Sequence, residues 1–146
     1  MNAINFIQDN GVDKAREVVE GAPDKTATHY VFRKIPRYYS VEFQSWYHDG
    51  EWWDSDCHTE EDLINSYGSD FVLSLSDLKR LVESVDLVKS YGGIINAKHD
   101  VKYLDLDWDY DTQRVTRLKQ AIADYESIYS IPESVRQAIL NLEMHL

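Results

Sequence analysis

One cysteine, three prolines and six glycines in 146 residues leave several protein classes out of reach. Cys57 stands alone, so no intramolecular disulfide and no thiolate cluster for zinc or iron–sulfur can form, and a reducing, cytoplasmic setting is expected. No apolar run approaches the roughly 20 residues that cross a bilayer. The start, Met1-Asn-Ala-Ile-Asn-Phe-Ile-Gln-Asp9, lacks the basic and apolar regions of a secretion signal, so no membrane association is expected. Basic residues are also scarce. There are 15 Lys plus Arg against 26 Asp plus Glu, a net charge of −11 and a pI near 4.7. That field repels nucleic acid and anionic membranes alike, which disfavours direct binding to DNA or RNA. Finally, no Gly-x-Gly-x-x-Gly, Walker, Gly-x-Ser-x-Gly or His-Glu-x-x-His pattern occurs, so the enzyme classes with short signatures are missing.

What is present fits a single α+β domain over residues 1–146, a helical body packed on a small antiparallel sheet or β-hairpin. The stretch from Asn2 to Glu20 reads as two short helices broken at Gly11. From Thr28 to Asp54 the pattern turns β-like, rich in Tyr, Phe, Val and Trp. Asp49-Gly50 is the strongest turn signal; a two-residue loop there sets Tyr47 opposite Trp52 and Trp46 opposite Trp53, with aromatic pairs on both faces. Thr59 followed by Glu60, Glu61 and Asp62 opens a short helix that Gly68 stops. Phe71-Val-Leu73 fits a brief strand or the lead-in to the next helix. Ser74 with Asp77 caps that helix, in which Leu78, Leu81, Val82, Val85 and Val88 share a face up to Gly92-Gly93. Another helix runs from Thr112 to Tyr129, and Pro132 suits the first turn of a last one. Phe6-x4-Gly11 and Val88-x4-Gly93 echo each other as a helix end, a glycine and a restart.

The run Tyr103-Leu-Asp-Leu-Asp-Trp-Asp-Tyr-Asp111 places Asp105, Asp107, Asp109 and Asp111 at every second position. If extended, it carries carboxylates on one face and Leu104, Leu106, Trp108 and Tyr110 on the other. Same-face residues on a strand lie about 6.6–6.8 Å apart, close to the phosphate spacing of a nucleic-acid strand, so such a row can imitate a row of phosphates. An EF-hand reading fails, because counting from Asp105 puts Tyr110 where glycine is needed and Thr116 where a bidentate glutamate is needed. An edge that deters strand pairing is the plainer alternative.

Phe6-Ile-Gln-Asp-Asn-Gly-Val-Asp-Lys-Ala-Arg-Glu-Val-Val19, Ser76-Asp-Leu-Lys-Arg-Leu-Val-Glu-Ser84 continuing to Gly93, and Arg117-Leu-x2-Ala-Ile-x-Asp-Tyr-Glu-Ser-Ile128 together resemble small accessory proteins from the early regions of lambdoid phages and enterobacterial prophages. The likeness covers about half of the chain and is strongest in its helices. It implies expression inside an infected or lysogenic bacterium, and it brings no catalytic residues with it.

His48, Asp54, Asp56, Cys57 and His58 fall close together, but adjacent Cys57 and His58 do not easily reach one ion, and neighbouring Cys and His are poor evidence of a nucleophile pair. No metal or cofactor is expected. The expectation is a non-catalytic protein that binds a host protein with a basic surface, such as one that handles nucleic acid or serves in defence, and inhibits or redirects it. Asp105, Asp107, Asp109 and Asp111, joined by Glu60, Glu61 and Asp62, supply attraction, while Trp46, Trp52, Trp53 and Trp108 anchor the contact. Two alternatives stay open: an enzyme or small-ligand module with the aromatic hairpin as pocket wall and His48 or His58 as acid or base, and a homo-oligomer with an aromatic self-interface.

Overall fold

Asn2 is an N-cap, its side-chain oxygen accepting from the Asn5 N–H at 2.8 Å, and it starts α1 (Ala3–Asn10). The computed structural model describes residues 2–105 and 112–129. Gly11, at φ 89°, closes α1 onto the Ile7 carbonyl and lets the chain restart at once as α2 (Val12–Glu20). The chain divides into two compact units, Met1–Val82 and Glu83–Leu146.

The first unit is built on a five-stranded antiparallel sheet of β1 (His29–Val31), β2 (Arg37–Ser40), β3 (Ser45–His48), β4 (Glu51–Asp54) and β5 (Val72–Ser74), in the order β4-β3-β2-β1-β5. This bears out the α+β class. Of Phe71-Val-Leu73, the last two residues resolve as strand, because β5 pairs with β1 in the register Val31↔Val72, while Phe71 stays in the turn before it. Successive residues face opposite ways on a strand, and here the two faces take different helices. Val31, Tyr39 and Val72 pack with Leu63 of α3 (Glu60–Tyr67), flanked by Ile64, Tyr67 and Trp46. On the other face Tyr30 and Tyr38 pair across β1 and β2, with ring centroids 4.9 Å apart; the Tyr38 hydroxyl donates to the Val18 carbonyl of α2 at 2.6 Å, and Phe32 meets Phe6 of α1 edge-on. Aromatic residues on alternate positions thus fill two interfaces rather than one.

α3 is held by the cap expected of it. Thr59 accepts from the Asp62 N–H at 3.1 Å, Asp62 accepts from the His58 N–H at 2.9 Å, and the Gly68 N–H closes the far end onto Ile64. Ser74 accepts from Asp77 N–H at the start of α4 (Leu75–Ser90). Leu78 and Leu81 on that helix are fully buried, and Val82 nearly so.

In the second unit α4 ends at Ser90, and the Gly93 N–H bonds back to Val88 before α5 (Ile94–Asp105) begins. The glycine-mediated restart after Gly11 and after Gly93 is therefore real in both places. Val88, Ala97, Leu118, Ala121 and Ile122 form the core between α4, α5 and α6 (Thr112–Tyr129). Ser84, wholly buried, donates to Asp124 at 2.7 Å and accepts from Arg117 at 3.0 Å, so its hydroxyl is satisfied on both sides. Lys98 and Glu126 join α5 to α6 at 2.8 Å.

The acidic run departs from the extended reading at its start. Tyr103 to Asp105 are the last residues of α5, continuing a helix already in register from Ile94. Asp107, Trp108, Asp109 and Asp111, and the helix expected from Pro132, lie outside the described residues.

Candidate interaction face on the edge hairpin

Asp49 (φ 49°) and Gly50 (φ 81°) both occupy the left-handed region, the geometry of a type I′ turn, whose twist matches that of the strands it joins. The resulting register is the expected one, Trp46↔Trp53 and Tyr47↔Trp52. Alternation then sends Trp46, His48, Glu51 and Trp53 to the α3 side of the sheet, and Tyr47 and Trp52 to the other.

The neighbouring tryptophans of β4 have different fates. Trp52 stacks edge-on against Tyr47 and donates its indole N–H to Asp24 Oδ2 at 3.0 Å, which ties the hairpin to the loop after α2. Asp24 also accepts from the Thr26 backbone and hydroxyl, and these bonds, the Thr26 side chain first, hold its carboxyl below the ordinary value of 3.8. Trp52 is therefore an internal fastener. Trp46 is half-buried at the margin of the α3 contact, with the Arg37 guanidinium 4.6 Å from its ring centroid. Beyond it α3 gives no such cover, and Trp53 is 49% exposed. Its indole N–H donates to the His48 carbonyl at 3.1 Å, so the ring is pinned across the hairpin while remaining open to solvent. Phe43, in the turn before β3, adds a second exposed ring at 59%.

Among the described residues β4 is an outer strand, hydrogen-bonded to β3 on one side only. The sequence that carries it is acidic to an unusual degree: between Tyr38 and Leu78 there are ten Asp or Glu and no Lys or Arg. Asp49, Glu51, Asp54 and Asp56 fringe the hairpin, which discourages pairing with a like edge and attracts a basic surface. Not every expected carboxylate is free for that role. Glu60 bonds His29 Nε2 at 2.8 Å and Asp62 caps α3, so two of that trio already serve the fold.

Beneath the face lie groups that composition did not single out. The Tyr39 and Tyr67 hydroxyls share a hydrogen bond, and burial, followed by that bond, pushes the Tyr39 phenol well above its usual value of 10.0, with Arg37 opposing. Arg37 is signalled in the sequence only by its place in a basic cluster; its stacking on Trp46 follows from the β2–β3 register, which puts Tyr39 opposite Trp46 and Arg37 on its diagonal.

His48 contacts Asp49 at 3.2 Å, Cys57 lies 3.7 Å from the Ser66 hydroxyl, and His58 engages α3 through its backbone, so these residues point into separate local contacts. Among the described residues no group of three or more His, Cys, Asp or Glu is placed to hold a metal. Clefts of about 410 Å³ beside Leu87, Tyr91, Arg114 and Arg117, and about 580 Å³ beside Val19, Lys25, Leu75 and Lys79, include neither the hairpin aromatics nor His48 or His58. No helix among the described residues is long and apolar enough to cross a membrane. No protein-family model, no curated protein and no solved structure matches the chain.

Proposed function

We propose that this protein is a non-catalytic binding module that engages a host protein through the β3–β4 hairpin and inhibits or redirects it. The reading is carried by Trp53, a large ring half open to solvent yet held by a bond to its own hairpin, on an outer strand within a stretch that has no positive charge. A rigid exposed tryptophan loses little entropy on binding, which is why such residues dominate binding energetics. The acidic fringe selects a partner with a basic surface, as proteins that handle nucleic acid have. The resemblance to lambdoid-phage accessory proteins sets that encounter in the cytoplasm of an infected or lysogenic bacterium. Asp105, Asp107, Asp109 and Asp111 form a second acidic run in the sequence, which by its charge would also attract a basic partner.

The test is an affinity pull-down from enterobacterial lysate with the wild type, Trp53→Ser and Phe43→Ser. One dominant basic partner held by the wild type should be lost or weakened about 30-fold, near 2 kcal/mol, by Trp53→Ser. Equal retention by all three proteins would overturn the assignment to the hairpin.

A further inference from the structure

The acidic stretch is preceded by its opposite. Lys25, Arg33, Lys34 and Arg37 lie in residues 25–41, which contain no Asp or Glu, in a chain of net charge −11. Three of these cations sit at the loop joining β1 to β2, and among the described residues none of the three has a carboxylate within ion-pairing distance. Two are held rather than left loose. Arg33 lies 4.9 Å over the Phe71 ring and donates to the Tyr67 carbonyl at 3.4 Å, at the negative end of α3. Arg37 lies over Trp46, and its Nε is buried with no hydrogen-bond partner. A guanidinium stacked by its face keeps in-plane donors for an oxyanion, and one partly desolvated without a counter-charge gains most from receiving it. Beside these cations Ile35 is 63% exposed and Phe71 39%.

We propose that the β1–β2 loop, with Arg33, Lys34, Arg37, Ile35 and Phe71, is a docking surface for an acidic peptide segment whose carboxylates alternate with apolar side chains. Carboxylates meet the two arginine forks and Lys34, while an apolar side chain covers Ile35 and Phe71. The combination favours a peptide over nucleic acid. A long polyanion feels the repulsion of the whole molecule, whereas a short segment feels chiefly charges within a Debye length of about 8 Å. Arg37 reaches the margin of the Trp53 face through Trp46, but the contact centres on Arg33, Lys34, Ile35 and Phe71 and does not use the Trp53 ring.

The experiment uses the full chain and a short fluorescein-labelled peptide alternating glutamate and leucine, with a lysine–leucine peptide and a duplex DNA as comparisons, read by fluorescence anisotropy. The acidic peptide should bind, should weaken about fivefold or more when salt rises from about 50 to 300 mM, and should lose about tenfold or more in Arg33→Gln/Lys34→Gln. Both side chains are exposed, and an unchanged melting curve for the double variant confirms its fold. Trp53→Ser should leave this binding within about twofold, which separates a failure here from a failure of the hairpin reading. Undetectable peptide binding, binding indifferent to the double variant, or tighter binding of the DNA would each overturn the proposal. So would a salt-sensitive dimer in light scattering that the double variant dissolves and the peptide does not displace, since the loop would then pair with the acidic hairpin of a second copy.

Discussion

Trp52 and Trp53 are chemically identical neighbours, and the difference between them is made by what stands opposite. Alternation along β4 separates them in the sequence alone, but which one is free depends on the reach of α3 and on the loop that carries Asp24, and neither leaves a local mark. Trp52→Phe keeps most of the ring and removes the donor, so it should cost about 1 kcal/mol in urea unfolding. Trp53→Ser should change stability by no more than about 0.5 kcal/mol; a larger loss would show that its ring serves the fold and not a partner. Leu81 makes the opposite case. It is fully buried, as the apolar spacing of its helix implies, and Leu81→Ala should cost about 2–5 kcal/mol. A loss below about half a kilocalorie would mean its neighbours collapse into the space without strain.

Elements with a strong local signal could be read ahead of the structure. The hairpin follows from Asp49-Gly50, α3 from its Thr59 cap and Gly68 stop, and α4 from five apolar residues in helical register. α5 was foreshadowed only by the restart after Gly93. Ile94, Ala97 and Val101 face its core, but Ile95 is 41% exposed and Tyr103 64%, so outward apolar residues blur the helical stripe. The alternation that begins at Tyr103 then imitates a strand, although a helix already running from Ile94 extends through Asp105 more readily than it gives way to a new element. The turn offers a direct test. Gly50→Ala retains a φ near 81° that L residues rarely adopt, and should destabilise the protein by about 1 kcal/mol in chemical denaturation. No loss would mean the hairpin tolerates another turn type, and the Trp46↔Trp53 register would not depend on Gly50.

Across the whole chain, the segregation of charge and the burial of tyrosine act together on stability at high pH. Burial, then Tyr30 and Glu17, push Tyr38 up to about 12 from 10.0, and burial moves Tyr30 and Tyr39 in the same direction. Below pH 10.0 these phenols are neutral in folded and unfolded chains alike, so the stability gained by burying them is fully present. Between 10.0 and about 12 the unfolded chain ionises while the folded protein keeps its protons. The unfolded state then binds fewer protons, and stability falls as pH rises. Each tyrosinate would also join a molecule already at −11, whose self-repulsion works the same way. Tyrosinate absorbance should therefore rise in step with the loss of the sheet's circular dichroism. Tyr38→Phe supplies the decisive comparison: it forfeits the bond to Val18 and should be less stable at neutral pH, yet it has one phenol fewer to ionise. The drop in its denaturant midpoint between about pH 7 and pH 11 should thus be smaller than that of the wild type. Equal drops in the two proteins would show that Tyr38 ionises as freely in the folded sheet as in the unfolded chain.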